Sequence, residues 1–161
     1  MTNVQVVGGC ARLCRPEDVP GFMAADVDVI YACGHSFRSE DDGPVDAFLG
    51  TRLADLAGVN APALILDTCR SATREFLAGI ASVRDASLPP ATVLACTDIA
   101  PFAHEPLFAP LLEALVRDGR PTAWQERLQT ALTQTLASAE LEPHARREWG
   151  RWVPKQVPGT A

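Results

Sequence analysis

Two apolar runs in this chain end on residues that can do chemistry. The run "VIYAC" leads into Gly34, His35 and Ser36, and the run "ALIL" leads into Asp67, Thr68 and Cys69. A thiolate is a strong nucleophile, and an imidazole takes and gives a proton near neutral pH. Singly, a cysteine at a strand end is ordinary core packing; the joint placement gives the pair its weight. In open α/β sheets, ligands bind beyond the carboxyl ends of the strands. If the two runs are neighbouring strands, His35 and Cys69 meet at one edge of a sheet. Cys69 is then the candidate nucleophile, and His35 the base that protonates the leaving amine. The backbone N–H groups of Cys69 and Ser36 are candidate donors to the oxyanion. A helix expected over 70–83 would open at Cys69 and favour the thiolate, a minor species for a free thiol of pKa ~8.5 at pH 7.

The elements that must place these residues are legible as periodicity. "VDVIYAC" (27–33), "ALILD" (63–67) and "TVLACT" (92–97) read as strands buried on both faces, and "VQVVGG" (4–9) as a shorter one. "SATREFLAGIASV" carries Phe76, Leu77 and Ile80 at helical spacing. "EPLFAPLLEALVRDG" (105–119) is amphipathic and closes on Gly119, and "TAWQERLQTALTQTLAS" opens on Thr122, an N-cap type. "RPEDVPGFMAAD" reads as a loop or short helix, and 46–58 as a short strand with a helical turn. "RSEDDGP" is a solvated turn, "RDASLPP" an exposed loop, and the tail from about 150, with two prolines, irregular. Strand and helix in alternation predict an α/β fold. Its sheet is mainly parallel, with helices on both faces, in a single domain over 1–161.

Composition narrows the function. The chain has 161 residues, 47% hydrophobic and 21% charged, a globular balance. With 14 basic against 20 acidic residues and a net charge of −6, nucleic acid and anionic membrane are excluded as principal partners. No run is long enough to span a bilayer, and the start has neither a charged nor a long apolar segment of a secretory signal. Five cysteines at irregular spacing suit free thiols in a reducing, cytoplasmic setting.

Other chemistries fit less well. A phosphatase loop needs Cys-x5-Arg, and Cys69 to Arg74 is Cys-x4-Arg. Cys33, His35 and Cys69, with Cys10 and Cys14, offer zinc ligands on paper, but no Cys-x2-Cys pair exists. "SEDDG" lacks the ligand spacing of a calcium loop. No metal and no cofactor is expected. His104 and His144 follow no strand end and read as surface residues.

"DVDVIYACGHS" followed by "ALILDTCRSA" resembles the caspase-like cysteine peptidases, in particular metacaspases and bacterial CHAT-type proteases. Their pattern is an apolar strand into Ser-Gly-His-Gly, then one into Asp-x-Cys-x-Ser-Gly. "TVLACTDIAPFAHEPLFAPLLEAL" is similar to a later strand, loop and helix of the family, so the resemblance covers about 26 to 120. It implies a caspase-like fold and a cysteine endopeptidase with His35 as base and Cys69 as nucleophile. Asp67 matches the acidic residue that receives a basic P1 side chain. On a regular strand it shares the face of the position two residues on. The chain departs from the pattern at Ser36 and Ala72, where the family has glycine, and has one strand before the His strand instead of two. The domain is then either minimal or completed at its sheet edge by a partner chain. Loop 84–90 lies where the family carries a cleavable linker, so Arg84 is the expected processing site, for the protein itself or for an upstream protease. The implied setting is a regulated protease of stress, cell-death or phage-defence pathways. The alternative is an inactive caspase-like scaffold or interaction module.

Overall fold

Val29–Cys33 and Ala63–Asp67 are adjacent parallel strands, in register from Val29↔Ala63 to Cys33↔Asp67. The computed structural model describes residues 4–7 (backbone course alone), 15–38, 45–98, 111, 113, 123–137 and 150–161. In chain order the strands are β1 (Val4–Val7), β2 (Val29–Cys33), β3 (Ser36–Arg38), β4 (Val45–Phe48), β5 (Thr51–Arg52), β6 (Ala63–Asp67), β7 (Ala91–Cys96) and β8 (Trp152–Val157). The helices are α1 (Val19–Met23), α2 (Arg74–Ser82) and α3 (Trp124–Leu136), with 3-10 turns at Pro16–Asp18 and Leu53–Asp55. The main sheet runs β1-β2-β6-β7-β8, and β3-β4-β5 form a small second sheet. β1, β2, β6 and β7 are parallel and β8 is antiparallel to β7. This is a mixed α/β architecture on a mostly parallel sheet.

Side chains alternate across the central strands, so the sheet has two apolar faces. Ile30, Ala32, Leu64, Leu66, Val93 and Ala95 pack with Val19 and Met23 of α1 and Phe76 and Ile80 of α2. Val29, Ile65, Leu94 and Cys96 pack with Trp124, Leu128 and Leu132 of α3. Every residue of β6 and β7 is buried, as strands covered on both faces require.

The tail corrects its expected irregularity. Residues 152–157 form β8, paired from Cys96↔Trp152 to Ala91↔Val157. Its prolines do not prevent this. Thr97 N–H donates to the Arg151 carbonyl at 2.8 Å, so alternation aims the odd-numbered backbone groups at β7. Pro154 therefore turns its missing N–H to the open edge, where a sheet tolerates proline. Beyond the strand, Thr160 and Ala161 donate their N–H groups to the Arg84 carbonyl at 3.1 and 3.0 Å. A Cβ on Gly159 would meet the Asp85 carbonyl oxygen, so only glycine fits there.

The strand and turn expected over 46–58 are β4, β5 and the second 3-10 turn. The expected cap Thr122, nearly all of the amphipathic stretch 105–119, and the polar turn over 39–44 lie outside the described residues. α3 follows Ala123, which has a left-handed φ of 57° and no side-chain cap. No helix of the described residues is long and apolar enough to cross a membrane.

Candidate active site

The end of the β2–β6 pair sets the site. Cys33 pairs with Asp67, and His35 and Cys69 each stand two residues further on. The backbone ladder continues one step, with Gly34 N–H donating to the Asp67 carbonyl at 3.1 Å. The Ser36 hydroxyl then donates to the Cys69 carbonyl at 2.5 Å. The segment carrying His35 is thereby held against the segment carrying Cys69. His35 is exposed and Cys69 half-buried, as attack on an external substrate requires. The His35 carbonyl accepts from Leu49 N–H at 2.9 Å, just past the Ser36↔Phe48 pair. By the alternation of an antiparallel ladder, the Ser36 N–H faces away from β4.

The turn after Cys69 corrects one expectation. Cys69 does not open a helix. Arg70 is left-handed, with φ 53°, and its N–H donates to the Asp98 carbonyl at 2.8 Å. Ala72 N–H donates to the Cys96 carbonyl at 2.9 Å. α2 starts only at Arg74, capped by Thr73, whose hydroxyl accepts from Phe76 N–H at 3.4 Å. Helix-end stabilisation falls off within the first turn, so α2 is too far along the chain to supply the thiolate support expected at Cys69. The turn is instead pinned by Ser71. Its buried hydroxyl is shared between the Leu66 and Thr68 carbonyls at 3.1 and 3.0 Å and accepts from Cys96 N–H at 2.9 Å.

Asp67 is 2% exposed, and its Oδ2 accepts from the Tyr31 hydroxyl at 2.9 Å. Tyr31 and Cys33 share one face of β2, so they flank this carboxylate across the strand pair. Burial, then the Asp67 charge, push the Tyr31 phenol above its ordinary range. The same two causes in the same order push the Cys33 thiol up to about 11. Burial likewise pushes Cys96 up to about 11, and its thiol donates to the Asp98 carbonyl at 3.3 Å. Tyr31 and Ser71 were missed in the sequence, and Cys33 was weighed there only as a zinc ligand. Strand alternation was the available signal for Tyr31, which sits two positions before Cys33.

Arg84 is not the exposed residue its loop suggested. Its side chain is 1% exposed. Nη1 donates to the Val59 and Ala61 carbonyls, both at 2.9 Å, and Nη2 to the Pro89 carbonyl at 2.7 Å. A protease cannot take up this side chain while the segment is folded, so the processing site expected there is withdrawn. The rest of the loop, from Asp85 to Ser87 and at both prolines, is exposed.

Among the described residues, no group of three or more His, Cys, Asp or Glu side chains is arranged to hold a metal ion. Cys33, Cys69 and Cys96 form no disulfide. Cys10, Cys14, His104 and His144 lie outside the described residues. The chain matches no family model, no curated protein and no solved structure.

Proposed function

We propose that this chain is a cysteine endopeptidase of caspase-like fold, with His35 and Cys69 as its dyad. The observation that carries the reading is positional: both residues stand two places beyond the last paired residues of adjacent parallel strands, joined by the Ser36–Cys69 hydrogen bond. In this reading His35 takes the thiol proton and Cys69 attacks the scissile carbonyl. His35 then protonates the leaving amine, and water releases the acyl group from sulfur. The N–H groups of Ser36 and Cys69 stabilise the oxyanion. The substrate is a protein or peptide with Arg or Lys at P1, received by Asp67. Asp67 is buried with the Tyr31 hydroxyl on Oδ2, so binding requires that hydroxyl to move aside and open the carboxylate to the substrate.

The setting follows the sequence resemblance: a regulated protease of stress, cell-death or phage-defence pathways. Activation comes from an upstream protease or partner chain. Reduced cysteines at Cys33, Cys69 and Cys96 suit the reducing cytoplasm.

The test is a comparison of peptides cut in a cell extract by wild type, Cys69→Ala, His35→Ala and the double variant. Each single variant is expected to lose cleavage entirely, and the double to be no worse, because a dyad works as a unit. Substantial turnover by either single variant overturns the assignment. A wild type that cuts nothing, with a Cys69 inert to electrophilic peptide probes, leaves the inactive-scaffold reading in its place.

A further inference from the structure

We propose that the Ser36 side chain is a positioning residue that replaces the missing last rung of the β2–β6 ladder, fixing His35 against Cys69 while sparing its own N–H for the oxyanion. The inference rests on the dyad reading and goes beyond it. In a parallel pair, rungs recur every two residues. The rung Gly34 N–H to Asp67 carbonyl, at 3.1 Å, is therefore followed in a regular ladder by Ser36 N–H to Cys69 carbonyl. Here that carbonyl instead accepts from the Ser36 hydroxyl at 2.5 Å. The side chain takes the acceptor, so the register of the two segments is kept without using the backbone donor. The opposite side of the same segment is pinned through Leu49 N–H to the His35 carbonyl at 2.9 Å. A glycine at 36 could keep the N–H, but it has no hydroxyl and would lose either the tether or the donor. Ser36 is half-buried, so the bond is partly shielded from competing water.

The experiment measures kcat and KM for a fluorogenic peptide amide with Arg at P1, and the rate at which iodoacetamide alkylates Cys69, read by peptide mass spectrometry. Wild type, Ser36→Ala, Ser36→Gly, Ser36→Thr and His35→Ala are compared. Losing one positioning hydrogen bond of about 1.4 kcal/mol corresponds to about tenfold in rate. Ser36→Ala and Ser36→Gly are expected to lose about tenfold in kcat with KM within about twofold. Both should also alkylate more slowly than wild type. Ser36→Thr, which keeps a hydroxyl, should restore both. Wild-type kcat in the Ala or Gly variant, or a Thr variant as slow as Ala, overturns the proposal. The two readings fail separately. If His35→Ala leaves Cys69 alkylation unchanged, the dyad itself is lost. If His35→Ala slows alkylation and Ser36→Ala does not, the dyad stands and the tether is refuted.

Discussion

At the scale of single residues, the three described thiols differ in what surrounds them, and this should decide which one reacts. Cys33 lies beside the buried Asp67 carboxylate, and Cys96 is enclosed in the core; both are held up to about 11. Near pH 7.5 these two are almost wholly protonated, and a protonated thiol is a poor nucleophile. Limiting iodoacetamide should therefore label Cys69 well ahead of Cys33 and Cys96, measured by mapping the three peptides. Preferential labelling of Cys33 would contradict this ordering. Asp67 carries the second prediction. A substrate guanidinium that reaches its carboxylate makes a charge-assisted pair shielded from water, and removing one partner of such a pair costs about 2–5 kcal/mol. Asp67→Asn should thus lose roughly thirty-fold to several thousand-fold in kcat/KM for Arg at P1, with Cys69 still alkylated. Tyr31→Phe should act oppositely on binding, lowering KM for the same substrate, because the guanidinium no longer competes with a phenol for Oδ2. Efficient cleavage after Asp by the wild type would rule out this role for Asp67.

At the scale of elements, the segment after α2 is held by Arg84 more than by its own turn chemistry. Three carbonyls, the buried ones of Val59 and Ala61 and the more exposed one of Pro89, receive its guanidinium. Arg84→Met keeps much of the stem and removes every one of those donors. It should destabilise the fold by about 3 kcal/mol or more, read as a lower urea midpoint, and trypsin should leave the bond after Arg84 intact in the native wild type. A neutral Arg84→Met, or rapid native cleavage there, would show that the side chain is not held. The sequence could not disclose this, since a lone arginine in a polar, proline-ended stretch looks solvated until its distant acceptors are known. The strands were legible for the opposite reason. "ALILD" and "TVLACT" are continuous apolar runs, and such runs make strands covered on both faces whatever their partners. The start of α2 was misplaced because the periodicity of Phe76, Leu77 and Ile80 says where the helix faces but not where it begins. Its start is set by the left-handed Arg70 and the hooked-back Ser71. β8 was hidden by the two prolines of the tail, of which only Pro154 lies in the strand, harmless because it falls on the outward side of an edge. The adjacency of the His and Cys strands, on which the whole site depends, was a conditional in the sequence and is a register in the structure.

At the scale of the whole molecule, the same buried thiols make stability depend on pH at the alkaline end. Exposed in the unfolded chain, Cys33 and Cys96 titrate near 9.0; in the native protein they are held up to about 11. Between these values the unfolded chain has given up protons that the native one keeps. The unfolded state then binds fewer protons, and stability falls as pH rises. The contribution is intact below pH 9 and drains away through the window up to about 11. Tyr31, also raised, from 10.0, adds a loss of the same sign that extends further up. Both thiols lie on the face of the sheet that carries α3, at its carboxyl edge, so their ionisation would put charge against Asp67 and into the apolar layer around Trp152. The urea midpoint should therefore fall from about pH 9 towards about pH 11, and fall less steeply in a Cys33→Ala, Cys96→Ala double variant. Every other group is common to both proteins, so the difference in slope reports the two thiols together with the coupling of Cys33 to Tyr31, the chain's one tyrosine. Parallel curves for wild type and the double variant would mean that neither thiol is held protonated by the fold. The local account of the carboxyl edge, with a buried carboxylate flanked by neutral sulfur and a phenol, would then need a different distribution of charge.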